Sequence, residues 1–565
     1  MTLVLGISTT HNGSVALIEN GRVKVAIQAE RISRTKRQIL ELSGDKEILQ
    51  KCVSYCLESA GLKHENINAI AISTPWDLKE ITDIELFNYI GGFPNNYYKT
   101  FYVPHHFSHM EYITHYGGKK PGIVLVVDGS GSLEADRGYF NLPELQHEEL
   151  IEHIHFAGKE VISAYAFDGS KSQLIYRFSP SQAPGESYNI DAGFYLQSVG
   201  HYWEWASDYC CGSGNEAGKV MGLAAFGKNN QRTKNNALYL STDSKLNLRF
   251  DRLKKQFTRP NLYGLDLSRS RHHQDLARKV QDETETVLLK LLKILKTKFP
   301  TDTLYLSGGV ALNVVANERI YKSKLFKSVI LNGSVEDNGT SIGAGLAACS
   351  YLGYPRQFSK ITDYYGKEYS EEEILASLSH YGFQYEHVSE KSLPSIAADL
   401  IKNNYIFAWF QGRSEFGPRA LGNRSIFANP LSNRTKFVLD SHMKCRDRYR
   451  PYAPVVVEEK AKIYFDLDDK SSVMMRNVEV RDSRLVAVKH VDGTARVQTV
   501  SESENPRLYK LLLEVEKSIG VPVLLNTSFN RPGEPIVESP SDALNSFSAG
   551  SLDYLFLGNI LVSRF

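Results

Sequence analysis

No two of the six cysteines, Cys52, Cys56, Cys210, Cys211, Cys349 and Cys445, form a CxxC pair. That excludes a zinc ribbon and leaves no disulfide framework, as suits a reducing compartment. No apolar run reaches the roughly 18 residues that a membrane-crossing helix needs, and the start carries no basic region followed by an apolar stretch. Both absences predict a cytoplasmic protein with no membrane partner. An excess of one charge is missing as well: 66 Lys and Arg against 64 Asp and Glu leave a net charge of +2. Composition therefore gives no reason to expect nucleic acid, and any basic site must be a local cluster.

What is present is an ordinary globular composition on a chain of 565 residues, too long for a single core. The pattern opens with strands over 3–8, 14–18 and 22–29, the last two joined by the hairpin signal Asn20-Gly21. The loop Thr9-Thr10-His11-Asn12-Gly13 places an imidazole at a strand end. The third strand runs into Glu30-Arg31-Ile32-Ser33-Arg34-Thr35-Lys36-Arg37, which is either a solvated helix face or a segment holding Lys36 or Arg37 over an anion. A helix over 44–61 and a buried strand over 67–73 follow. Near residue 120 strands begin again: Ile123 to Val127 with Asp128-Gly129 behind it, Gly138-Tyr139-Phe140, then 161–166 and 174–176. Two successive meanders, each opening on a strand with polar residues at its end, predict an internal duplication. By fold-level analogy such halves bind a nucleotide in the cleft between them.

In Pro104-His105-His106-Phe107-Ser108-His109, the i,i+4 spacing puts His105 and His109 on one helix face, where the strand-end Asp128 would meet them. His106 and His109, at i,i+3, would share a face as well, so His106 competes for the role. Asp337, after a later strand, is the candidate second carboxylate. Two imidazoles and two carboxylates suit a divalent metal, iron first, then zinc or manganese.

The turns Ser307-Gly308-Gly309 and Asp337-Asn338-Gly339 each link a strand to a helix, an arrangement that presents backbone N–H groups to phosphate. Gly308, Gly309, Asn313 and Asn338 in or next to these turns, with Gly129 of the Asp128-Gly129 turn, are the nucleotide-binding candidates. Lys219 comes from Gly212 to Gly227, whose glycines either approach a ligand or let helices pack closely. The pattern breaks near Tyr354-Pro355, dividing the chain into 1–358 and 359–565. The second part holds the local basic cluster. Arg419, Arg424, Lys444, Arg446, Arg448, Arg450 and Arg531 stand in turns interleaved with proline and glycine, near Asn526, Ser528 and Asn530. Such fixed backbones hold polyanions in a set geometry.

The ordered motifs His105-xxx-His109, Val127-Asp128-Gly129, Lys219-Val220-Met221-Gly222-Leu223, Ser307 to Asn313, Gly417-Pro418-Arg419-Ala420-Leu421-Gly422 and Asn526-Thr527-Ser528-Phe529-Asn530 resemble the NodU/CmcH-type O-carbamoyltransferases over essentially the whole chain. The resemblance implies an α/β protein. Its first part would be a duplicated actin-like ATPase (ASKHA) domain similar to the tRNA threonylcarbamoyl transferase, followed by a YrdC-like α/β domain. The second domain would make carbamoyl-adenylate from carbamoyl phosphate and ATP, with Mg accompanying the ATP. The first would transfer the carbamoyl group to a hydroxyl of a small-molecule natural product, releasing AMP. His11 matches a family position near the transfer centre and is the candidate general base, with Lys36 as a second catalytic candidate.

Three readings compete: a small-molecule kinase of the actin-like superfamily, a hydrogenase-maturation carbamoyltransferase, which shares both domain types but normally adds zinc-finger cysteines, and a non-catalytic binding module of the same fold. Whether the chain acts alone or as a homodimer is open. So is the acceptor. Its pocket would be built from irregular segments 77–103 and 180–211, where Phe93, Tyr97, Tyr98, Tyr195, Tyr202, Trp203 and Trp205 either stack on a ring or are ordinary core.

Overall fold

The computed structural model describes residues 2–40, 46–75, 99–132, 159–180, 188–190, 194–196, 198–228, 241–242, 248–249, 266–447 and 449–564. Arg448, Gly138-Tyr139-Phe140, Phe93, Tyr97 and Tyr98 lie outside them, as does the side chain of Tyr195. The chain forms two compact units. Unit 1 holds Met1–Val23, Ile39–Lys46 and Lys63–Lys360; unit 2 holds Lys24–Gln38, Glu47–Leu62 and Ile361–Phe565.

A first sheet is formed by β1 (Leu3–Ser8), β2 (Ser14–Glu19), β3 (Arg22–Gln28), β4 (Ala69–Ser73) and β5 (Lys99–Val103), in the order β3-β2-β1-β4-β5. A second sheet contains β6 (Gly122–Val127), β7 (Ile162–Phe167) and β8 (Ser172–Phe178). Between its halves come two short antiparallel pairs, β9 (Tyr188–Ile190) with β10 (Phe194–Leu196) and β11 (Ser241–Thr242) with β12 (Leu248–Arg249). It is completed by β13 (Thr303–Ser307) and β14 (Ser328–Ile330), in the order β8-β7-β6-β13-β14.

β1 is antiparallel to β2 and parallel to β4, and β6 stands in the same relation to β7 and β13. One topology thus occurs twice, as the predicted internal duplication requires. All six residues of β1 and all six of β6 are buried, so both read as continuous apolar runs rather than alternating ones. The helix Gly339–Tyr351 crosses the helix His105–Thr114 at Gly343, where a Cβ would come 1.8 Å from the Ser108 carbonyl oxygen. Only glycine permits that approach.

The stretch 199–211, expected to be irregular, is the helix Val199–Cys211. The Ser198 side chain caps it by accepting from the His201 amide at 2.9 Å, and Gly212 ends it at φ 76°. The Tyr202 hydroxyl donates to Glu283 at 2.8 Å and the Trp203 indole to Thr284 at 3.0 Å. Trp205 is also buried. These rings are core against the helix Arg271–Lys298 rather than a platform for an acceptor.

Unit 2 is a nine-stranded mixed sheet. Its strands are β15 (Gln384–His387), β16 (Phe407–Phe410), β17 (Arg424–Ala428), β18 (Ala453–Val457), β19 (Arg476–Glu479), β20 (Thr494–Val500), β21 (Val523–Ser528), β22 (Tyr554–Leu557) and β23 (Ile560–Ser563). Their order is β15-β23-β22-β16-β17-β21-β18-β20-β19. Both faces are covered, and β16 shows the period-2 alternation that results. Phe407 and Trp409 pack with the helices Leu393–Lys402 and Pro506–Ile519; Ala408 and Phe410 pack with Glu371–Leu378 and Pro540–Ser548. Two N-terminal segments belong here too: the Ala26 amide donates to the Tyr365 carbonyl at 2.9 Å, and the Tyr55 hydroxyl to Glu538 at 2.5 Å.

Candidate functional site

Strand ends build the first site. The helix His105–Thr114 follows β5, Asp128 follows β6, and Asp337 follows β14 just before the helix Gly339–Tyr351. Ligands of open α/β sheets gather at this carboxyl edge. Outside side chains serve the first amides of the His105–Thr114 helix: the His105 amide donates to Ser132 Oγ at 2.9 Å and the His106 amide to Glu160 at 3.3 Å. The i,i+4 spacing then brings the His105 and His109 rings to 4.8 Å between centroids, nearly perpendicular at 89°.

His105 Nε2 and His109 Nε2 both lie 3.3 Å from Asp128 Oδ2; Asp337 Oδ1 is 3.5 Å from the first and 3.8 Å from the second. The remaining atoms of these groups are held elsewhere. His105 Nδ1 is 3.4 Å from Ser73 Oγ, and His109 Nδ1 is 3.1 Å from Ser307 Oγ. Asp128 Oδ1 accepts from the amides of Gly129 at 2.8 Å and Gly309 at 3.1 Å. Three of the four ligand candidates are therefore oriented from behind, the usual support of a metal centre.

The four buried residues bring one donor atom each within 4.8 Å of one another. This donor set fits a divalent ion of borderline softness. The charges answer one another. Burial alone would lower His105, but Asp337 and Asp128 raise it to about 10. Both carboxyls are in turn held well below their usual range by the histidines, against the burial that would raise them. His106 is outside the group: its Nδ1 lies 2.8 Å from Ser163 Oγ, and burial takes its pKa down to about 4. His11, half exposed at 54%, sits beside the cluster with Nδ1 3.4 Å from Asp337 Oδ2.

A second constellation lies in unit 2. Lys444 is buried, and its ammonium donates to the carbonyls of Ser528 at 2.5 Å and Asn530 at 3.0 Å and to Asn530 Oδ1 at 2.8 Å. The Ser528 hydroxyl donates to Asn530 Oδ1 at 2.6 Å. Burial first, then the charges of Arg446, Lys36 and Arg450, push the Lys444 pKa well down. Arg496, on β20, is pushed well down in the same way, by burial and by Arg419, Arg450 and Arg446. Packing so many cations together is unfavourable unless a polyanion joins them.

A family model described as Carbamoyltransferase N-terminus matches residues 3–102 and 96–346, and one described as Carbamoyltransferase C-terminus matches 398–564. The chain belongs to the carbamoyltransferase family. Nodulation protein NolO of Bradyrhizobium diazoefficiens is 33% identical over 71% of this chain and 77% of its own length. The 3'-hydroxymethylcephem-O-carbamoyltransferase of Streptomyces clavuligerus is 32% identical over 58% of this chain and 61% of its own. Among solved structures, T. kodakarensis HypF aligns with 62% of this chain and 48% of its own at 13% identity and a TM-score of 0.37.

Several expected ligands of this carbamoyltransferase have other work. The Arg424 guanidinium is fully buried. It donates to the carbonyls of Gln411 at 2.7 Å, Asn423 at 3.1 Å, Gly412 at 3.2 Å, and Lys367 and Glu538 at 3.3 Å, and stacks 3.6 Å from the Phe410 ring centre. It builds the loop and does not face an anion. Arg424→Ala should accordingly lower stability by about 3 kcal/mol or more, since buried carbonyls that lose a donor cost roughly 1–3 kcal/mol each. Denaturant unfolding checks this.

Asn313 likewise turns inward. Its amide pairs reciprocally with Gln281 at 3.0 and 3.2 Å and caps the helix Val314–Lys322 by accepting from Ala316. Asn338 is different: it is wholly buried and its backbone carbonyl accepts from Ser14 and Ser341, but its side-chain amide has no hydrogen-bond partner among the described residues and keeps its place as a candidate. Gly308, at φ 91°, and Gly309 make the turn that supports Asp128. Lys219 pairs with Glu216 at 3.1 Å on its own helix, and exposed Arg531 pairs with Glu534, its Nε donating at 2.8 Å. Asn526 donates to the Ala420 carbonyl at 3.1 Å and to Gln498 at 2.8 Å. Lys36 falls in unit 2, where its charge acts on Lys444. The motifs missed Arg496 altogether. Its only sequence signal is a charge between two apolar neighbours, Ala495-Arg496-Val497.

Proposed function

We propose that this carbamoyltransferase is an ATP-dependent O-carbamoyltransferase that works through carbamoyl-adenylate. In unit 2, carbamoyl phosphate and water give carbamate and phosphate. A carbamate oxygen then attacks the α-phosphorus of ATP, Mg-bound as usual, and pyrophosphate leaves. In unit 1 the hydroxyl of a small-molecule acceptor attacks the carbamoyl carbon, its proton passes to a base, and AMP leaves. The observation that carries this reading is the crowd of cations around Arg496 and Lys444, which suits two phosphorylated substrates brought together.

Arg419, Arg450 and Arg496 would bind the phosphates, while Lys444 holds the Ser528–Asn530 turn in place. His11 is the base: Asp337 Oδ2, 3.4 Å away, favours the proton on Nδ1, which leaves Nε2 to take the hydroxyl proton. His105, His109, Asp128 and Asp337 would hold a divalent ion, iron or alternatively zinc or manganese, which would supply Lewis acidity for the carbamoyl carbonyl.

Purified chain given ATP and carbamoyl phosphate should release pyrophosphate, and with a suitable hydroxylated acceptor should yield AMP and a carbamoylated product by mass. ADP without pyrophosphate would instead favour the kinase. An actin-like kinase has no need of the arginine-rich second unit, so the reading above is preferred.

A further inference from the structure

The stretch Ala29–Lys36 comes early in the chain, yet it lies in unit 2 and grips both the loop that leads to Arg419 and the turn that Lys444 holds. Arg31 is 1% exposed, and its Nη2 donates to the Gly417 carbonyl at 2.7 Å, two residues before Arg419. Arg34 ends the short helix Ala29–Ser33 in the left-handed conformation at φ 59°. From there its fork reaches two successive carbonyls, Nη1 to Ile536 at 2.8 Å and Nη2 to Pro535 at 3.0 Å, with Asp542 3.5 Å from Nε.

Those carbonyls close the turn that begins at Ser528. Asn530 Nδ2 donates to the Glu534 carbonyl at 2.6 Å, and Lys444 holds the Ser528 and Asn530 carbonyls at the other end. The turn is thus fixed by one cation at each end. Two residues after Arg34, Lys36 adds its own charge to Lys444.

We propose that Arg31 and Arg34 are positioning residues for the activation half of the reaction, setting the loops 417–419 and 528–536 for carbamoyl phosphate and ATP. The proposal rests on the carbamoyl-adenylate reading above. Neither arginine needs to touch substrate. Arginine suits the second place because the planar fork of Arg34 spans adjacent carbonyls, which a lysine ammonium does not do in parallel; at the first, Arg31 reaches the buried Gly417 carbonyl with one end of its guanidinium.

The test uses the full chain carrying Arg34→Lys or Arg31→Lys, which keep the charge and a single donor. ATP–pyrophosphate exchange is measured with carbamoyl phosphate and no acceptor. Zinc loading and the thermal midpoint are measured beside it. Exchange should fall by about tenfold to a hundredfold, the usual cost of displacing a positioned group, chiefly through KM. Zinc loading and midpoint should stay at the unsubstituted values. Exchange within about twofold of the unsubstituted chain overturns the proposal, as does a parallel fall of exchange, zinc loading and midpoint. Should the unsubstituted chain show no exchange, the carbamoyl-adenylate reading fails by itself. ATP affinity by calorimetry then decides the positioning role: weaker binding in the variants supports it, and equal binding overturns it.

Discussion

His109→Ala is expected to strip bound metal from the chain and to stop carbamoyl transfer, while pyrophosphate release from ATP and carbamoyl phosphate continues. His109 Nε2 stands 3.3 Å from Asp128 Oδ2 and 3.8 Å from Asp337 Oδ1, so its loss leaves one imidazole with two carboxylates. Removing only a group behind a ligand, such as Ser307 at 3.1 Å from His109 Nδ1, typically costs 10–100-fold in metal affinity. Removing the ligand itself should cost more. His106→Ala supplies the contrast, because that ring meets Ser163 Oγ rather than the carboxylates of the cluster and should leave metal content unchanged. Elemental analysis of both variants after zinc loading, with pyrophosphate and product assayed side by side, checks the prediction. Full metal content in His109→Ala would remove this residue from the centre.

The histidine pair was legible because an i,i+4 spacing is a statement about one helix face, and the helix His105–Thr114 obeys it. The choice between His105 and His106 was not legible. It depends on Ser163 standing opposite one ring and Asp128 opposite the other, and those residues come from different strands. The duplicated sheets were readable from two runs of buried strands, since both faces of β1 and β6 are covered. The helix Val199–Cys211 was hidden by its aromatic content, which masks a helical period in residues 202, 205 and 209.

Arginines were the least legible residues. Arg424 and Arg496 both begin near strand ends, and sequence gives each the same charge. One is enclosed by five carbonyls and an aromatic face, the other by further arginines. Chain order misleads in the same way for Lys36, which precedes nearly all of unit 1 yet acts in unit 2. Such differences arise from long-range packing, which local propensity does not carry.

Arg496→Ala should separate function from stability in the direction opposite to Arg424→Ala. Burial and three neighbouring guanidinium groups already disfavour the charge on Arg496. Deleting it relieves that repulsion, so the midpoint of denaturant unfolding should hold or rise. Binding of the phosphorylated substrates should suffer, because a charge-assisted hydrogen bond contributes on the order of 1.5–3 kcal/mol. At 1.36 kcal/mol per tenfold, pyrophosphate formation should lose about 10- to 150-fold in kcat/KM, mostly in KM for carbamoyl phosphate or ATP. Raising the salt concentration should shrink the gap between variant and parent, since an anion competes for the remaining cations. Arg424→Ala should instead unfold earlier, with any loss of rate tracking loss of folded protein. If Arg496→Ala unfolded earlier and kept its kcat/KM, the arginine would be structural, and the phosphates would have to be bound by Arg419 and Arg450 without it.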